Sequence, residues 1–149
     1  MTSSWEKYEE LIKAEMKKVY SETVVEHSMN PRNVGDIEDA GGFAKVIGPC
    51  GDTMEIWLKV NSDTISNASF MTDGCGTTIA SGSMVTEMAK GRTVFHAQKI
   101  TQQDVLNALG GLPEESQHCA LLAANTLKEA VKDYLITKKE PWKRAYKKY

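Results

Sequence analysis

Three cysteines stand far apart in this sequence, each in a setting that suggests chemistry: Cys50 in Gly48-Pro49-Cys50-Gly51-Asp52, Cys75 in Asp73-Gly74-Cys75-Gly76, and Cys119 directly after His118. Thiolates are nucleophiles and soft metal ligands, so the question is whether these thiols ionise and whether they meet. Glycine and proline around Cys50 hold the backbone out of regular pairing and leave the thiol and the Asp52 carboxylate projecting from a turn. Cys75 and Cys119 each open a helix, where unpaired amides and the positive end of the helix dipole favour a thiolate. A lone cysteine is most often a small buried hydrophobe, but three at element ends with none in an obvious core position point elsewhere. If the ends converge, three thiolates with Asp52 and His118 suit iron, an iron-sulfur cluster or zinc. No CxxC is present, so spacing alone is a weak metal motif, and the convergence is an expectation from topology.

Composition narrows the class. The 149 residues fit one domain spanning 1–149, with 41 % hydrophobic and 26 % charged side chains, enough for a core and for solubility. A net charge of -2 argues against nucleic-acid binding by counterion release. No run approaches the ~20 apolar residues of a membrane span, and the N-terminus lacks a signal-peptide apolar core, so the expected location is cytoplasmic, with no membrane partner. An odd cysteine count in a reducing compartment disfavours a disulfide framework. Residues 138–149, KKEPWKRAYKKY, form a basic aromatic tail, a partner-docking candidate.

The positioning elements follow from periodicity. Tyr8, Leu11, Ile12, Met16, Val19, Tyr20 and Val24 are spaced by threes and fours over 4–28, a helical face with a break near Tyr20-Ser21 and a stop at Asn30-Pro31. From 43 onward the period becomes two: FAKVIG, DTMEIWLKV with Met54, Ile56, Leu58 and Val60 on one face, and TISNASFMT. Short polar turns between them predict an antiparallel meander. Helices are predicted over 77–90 with a stripe of Ile79, Met84, Val85 and Met88, after Thr93, from the Thr101 cap to Gly110-Gly111, and from near Ser116 onward with Leu121, Leu122, Leu127, Val131 and Leu135 available to the core. Sheet first and helices after is an α+β layout, a three-stranded antiparallel sheet packed against N- and C-terminal helices. His27 is expected to fix a helix end, and His96 and the methionines to be structural.

In order along the chain, YSETVVEHSMNPRNVG, Cys50-Gly51-Asp52, Asp73-Gly74-Cys75-Gly76 with TIASGSMVTEMAKG, and His118-Cys119 ahead of the final helix resemble the IscU-type iron-sulfur scaffolds and the N-terminal domain of NifU, from Tyr20 to about Tyr134. The resemblance implies a scaffold or carrier rather than an enzyme, assembling a transient 2Fe-2S cluster and passing it to apo-proteins. It implies Cys50, Cys75 and Cys119 as cluster ligands, Asp52 as the labile fourth ligand and His118 as an alternative one. It further implies Cys119 as acceptor of persulfide sulfur from a cysteine desulfurase, ferrous iron (Fe2+) and an electron donor such as a ferredoxin, and zinc (Zn2+) competing for the same ligands. Dimerisation stays open.

The chain also departs from the pattern. Leu112-Pro113-Glu114-Glu115-Ser116 stands where bacterial members read LPPVK, so the resemblance does not extend to docking of the usual Hsp70-type chaperone. Residues 1–19 form a helical extension and the basic tail is additional. No sizeable insertion separates Cys75 from Cys119, which favours the IscU type over SufU, a zinc-dependent sulfur acceptor. That acceptor role and a structural zinc-binding module are the two rival readings.

Overall fold

A computed structural model describes residues 4–142; residues 143–149, most of the basic tail, lie outside the described residues. Its element order is α1 (Ser4–Lys17), α2 (Glu22–Met29), β1 (Gly42–Ile47), β2 (Thr53–Asn61), β3 (Thr64–Thr72), α3 (Gly76–Ala89), α4 (Val94–Ala97), α5 (Gln102–Leu109), a 3-10 turn (Glu114–Ser116) and α6 (Gln117–Lys139). The sheet is the expected antiparallel meander in the order β1-β2-β3. The fold class is α+β, as the change of period indicates.

One face of the sheet forms the core. Register places Ala44 beside Ile56, and Ile56 beside Phe70, so the period-two apolar residues of all three strands point the same way. Ala44, Met54, Ile56, Leu58, Ala68 and Phe70 meet Val85 of α3, Val105 and Leu109 of α5, and Leu127 and Val131 of α6 in one buried cluster. The other face of β2 is not wholly polar: Trp57 is also buried, its ring tilted at 46° to that of Phe43 with centroids 5.1 Å apart.

The break near Ser21 is real. Ser21 caps α2, accepting from the Val24 amide at 3.1 Å, and its hydroxyl donates to the Leu109 carbonyl, tying α2 to the end of α5. Thr101 and Asp104 form a reciprocal capping box at the start of α5. The expected apolar face of α1, by contrast, is not buried: Tyr8, Leu11 and Ile12 are exposed, as is Trp5 beside them. Propensity and pattern make that helix, not packing.

Two further expectations need correction. Of the expected α3 stripe, Val85 is fully buried and Ile79, Met84 and Met88 are half-buried against the core, while the tightest face also carries Thr77, Thr78, Ala80, Ser81, Gly82, Ser83 and Thr86. These small side chains let α3 lie close on the sheet; a Cβ at Gly82 would sit 2.4 Å from the Phe70 ring. On α6, Leu121 faces outward at 39 % exposure, because the inward stripe runs through Cys119, Leu122, Ala123, Thr126, Leu127 and Ala130.

His27 docks α2 onto α3 rather than closing its own helix. Its Nδ1 lies 2.7 Å from Ser83 Oγ, which also accepts the Arg32 amide at 2.9 Å, while the Asn33 amide donates to Thr86 and Glu87. Burial, with Arg32 second, holds the His27 pKa below its usual value against the opposing pull of Glu87 and Glu26. The neutral imidazole therefore belongs to the folded state. Its stabilising contribution is complete above the unfolded value of about 6.5 and is lost as pH falls through the lower folded value. Urea midpoints should decline from pH 7 to pH 5 more steeply in wild type than in His27→Gln; equal slopes would contradict this.

Candidate functional site

Three chain segments meet at one end of the sheet. The β1–β2 turn carries Cys50 and Asp52 and closes through Gly48 N–H to the Asp52 carbonyl at 2.7 Å and Gly51 N–H to the Gly48 carbonyl at 3.0 Å. The β3–α3 junction carries Cys75 and is tied to the start of β2: the Thr53 amide donates to Asp73 Oδ1 at 2.7 Å, and the Thr72 hydroxyl donates to the Thr53 carbonyl at 2.6 Å. The start of α6 brings His118 and Cys119, held in part by Gln102, whose amide donates to the Gln117 carbonyl at 3.0 Å.

Two threonines join these segments. Thr78 Oγ1 donates to Asp52 Oδ2 at 3.0 Å and lies 3.3 Å from Cys119 Sγ. Thr77 Oγ1 lies 3.4 Å from Cys119 Sγ and 3.6 Å from Cys75 Sγ, and His118 Nε2 lies 3.7 Å from the Cys119 sulfur. Asp52, Cys119, His118 and Cys75 thus form one continuous line of polar contacts. Cys50, on the same turn as Asp52, is exposed. Among the described residues, no three His, Cys, Asp or Glu side chains are grouped to hold a metal ion in this arrangement.

The thiols differ in setting. Cys75 is the N-cap residue of α3 and exposed; the Thr77 hydroxyl, above all, and the Thr77 and Thr78 amides lower its pKa against a smaller opposing effect of burial. This is the thiolate-favouring environment of a helix N-terminus. Cys119 departs from the expectation that no thiol sits in a core position: it is only 2 % exposed. Its place as the third residue of α6, in phase with Leu122 and Ala123, turns it inward onto Thr77 and Thr78. A cavity of about 230 Å3, lined by Met16, Tyr20, Val24, Ser28 and Thr77, opens beside Cys75. A larger groove of about 820 Å3 between β1 and α6 includes none of the thiols.

As side-chain types, three sulfurs, one carboxylate and one imidazole are the donors of a soft or borderline metal. Thr77 and Thr78 are not among the site residues expected from the sequence. Their signal was two adjacent hydroxyl-bearing, β-branched residues in a first helical turn, where such side chains bond to nearby groups.

The NifU-like N terminal domain model matches residues 19–141. The chain is 51 % identical over 117 residues to iron-sulfur cluster assembly scaffold protein IscU 1 of Archaeoglobus fulgidus, covering 78 % of this chain and 76 % of that protein. It is 43 % identical over 120 residues to the IscU scaffold protein of Escherichia coli, covering 77 % and 93 %. A crystal structure of a NifU-like N-terminal protein from Brucella abortus superposes with a TM-score of 0.63 at 18 % identity, over 81 % of this chain and 97 % of that one, a likeness of fold. No helix among the described residues is long and apolar enough to cross a membrane. By the extent of these matches, the chain belongs to the NifU-like N-terminal domain family, together with the IscU scaffold proteins.

Proposed function

We propose that this protein is a scaffold on which a 2Fe-2S cluster is built and from which it is transferred. The observation that carries the reading is the polar line joining Asp52, Cys119, His118 and Cys75, from three distant segments, at one end of the fold. Family membership supports it, since relatives of known name are iron-sulfur cluster assembly scaffolds.

In this reading Cys50, Cys75 and Cys119 bind the cargo as thiolates. Asp52 completes the set as a harder, more exchangeable ligand, and His118 is the alternative. Sulfur arrives by exchange: the Cys119 thiolate attacks the outer sulfur of a persulfide on a cysteine desulfurase, that S–S bond breaks, and the desulfurase thiolate leaves. The transferred sulfur then takes up two electrons, from a donor of the ferredoxin kind, to become sulfide. Because Cys119 is buried, the start of α6 or the β1–β2 turn has to move before the attack.

Anaerobic incubation with a desulfurase, cysteine, ferrous iron and reductant tests the reading. A coloured cluster that moves to an apo-ferredoxin is expected; a colourless protein holding tightly bound zinc would overturn it. A weaker fourth ligand also predicts that Asp52→Ala retains its cluster several-fold longer under chelator. Equal or faster loss would contradict the role of Asp52.

A further inference from the structure

We propose that Thr78 is a latch: in the metal-free protein its hydroxyl ties Asp52 to Cys119, and this tie opposes the movement that would bring the two side chains onto a metal. The inference rests on the reading of the site given above and adds to it a positioning residue that opposes loading.

Thr78 is fully buried, and its Oγ1 is within 3.0 Å of Asp52 Oδ2 and 3.3 Å of Cys119 Sγ. A threonine hydroxyl carries a single hydrogen. With that hydrogen directed to Asp52, the contact to Cys119 is made through the oxygen's lone pairs, so both prospective ligands are engaged by one atom. Thr77 occupies the Cys119 sulfur from a second side at 3.4 Å.

The latch is also anchored. Gly74 passes so close that a Cβ there would lie 2.6 Å from Thr78 Cβ and 2.7 Å from its Oγ1, so the threonine is clamped between its own helix and the Cys75 loop. Opening therefore falls to the partners. Asp52 is on the β1–β2 turn, and its withdrawal would release the Thr78 hydroxyl hydrogen from the carboxylate.

Anchoring separates this role from simple packing. Valine keeps the shape of Thr78 and removes the hydroxyl, whereas serine keeps the hydroxyl. A hydrogen bond to a carboxylate contributes enough to shift an equilibrium by about tenfold.

Two measurements on the full chain test the latch: the rate of iodoacetamide labelling at Cys119 in metal-free protein, read by peptide mass spectrometry, and the dissociation constant for Co(II), read from its thiolate charge-transfer absorption under anaerobic conditions. Thr78→Val should label Cys119 about tenfold faster and bind Co(II) about tenfold more tightly, with Thr78→Ser within about twofold of wild type. Thr78→Ala serves in the same way if the valine variant does not fold. Unchanged labelling, or Co(II) binding that is unchanged or weaker in the variants without a hydroxyl, would overturn the latch. If wild type and variants all fail to bind Co(II) while Cys119 labels faster without the hydroxyl, the tie itself stands and the metal reading of the site fails.

Discussion

Cys119→Ser should fold normally yet retain less than about a tenth of the cluster that wild type holds after anaerobic reconstitution, measured by visible absorption per polypeptide. Folding is expected to survive because the serine hydroxyl is smaller than the thiol and can bond to the same Thr77 and Thr78 oxygens that surround the sulfur. Loss of the cluster follows from chemistry rather than shape. A neutral hydroxyl is a poor substitute for a thiolate on iron, and Cys119 is both a ligand and the sulfur entry point in the proposed function. Full cluster occupancy in this variant would mean that the buried thiol belongs to the core and that Cys50 and Cys75 act without it.

Phe70→Ala should destabilise the protein by about 3–5 kcal/mol in urea titrations, the usual cost of emptying a buried aromatic site. Phe70 is 1 % exposed at the centre of the core cluster, and its ring rests on Gly82 of α3. The neighbours cannot collapse into the space cheaply, since β3 is fixed by its ladder to β2 and by amide bonds from Phe70 to the Asn33 carbonyl and from Gly35 to the Phe70 carbonyl. Because Cys75 is the N-cap of α3, the same substitution should also loosen the site. A loss below about 1 kcal/mol would show that α3 settles onto the sheet after all.

Much of this architecture is legible because the residues obey short-range rules. The strands show a strict period of two in Met54, Ile56 and Leu58, and Ser21 and Thr101 announce helix starts that the structure uses as caps. The inner face of α3 was harder to see because its buried residues include Ser81, Ser83 and Thr86, which read as solvent-facing. Ser81 donates to the Thr77 carbonyl and Thr86 to that of Gly82, so their polarity is satisfied within the helix and they pack as small side chains. The apolar spacing of α1 had the opposite effect: it suggested a buried face, whereas the structure leaves Trp5 and Leu11 exposed.

The site was legible in part for a similar reason. Residue type and position at element ends singled out Cys50, Asp52, Cys75, His118 and Cys119, but burial depends on the phase of a helix against its neighbours. Cys119 shares its phase with Leu122, Ala123, Thr126 and Ala130, a spacing of threes and fours that was present in the sequence and overlooked beside the chemistry of the thiol. Thr77 and Thr78 escaped notice because a hydroxyl becomes informative only when its partners, here from the sheet and from α6, are known.

The most direct test of the account is X-ray absorption at the zinc edge of protein loaded with one equivalent of zinc, since all else depends on thiols distant in sequence closing on a single ion. Three sulfurs at about 2.3 Å and one oxygen or nitrogen at about 2.0 Å are expected. A shell with fewer than three sulfurs would contradict the convergence of Cys50, Cys75 and Cys119.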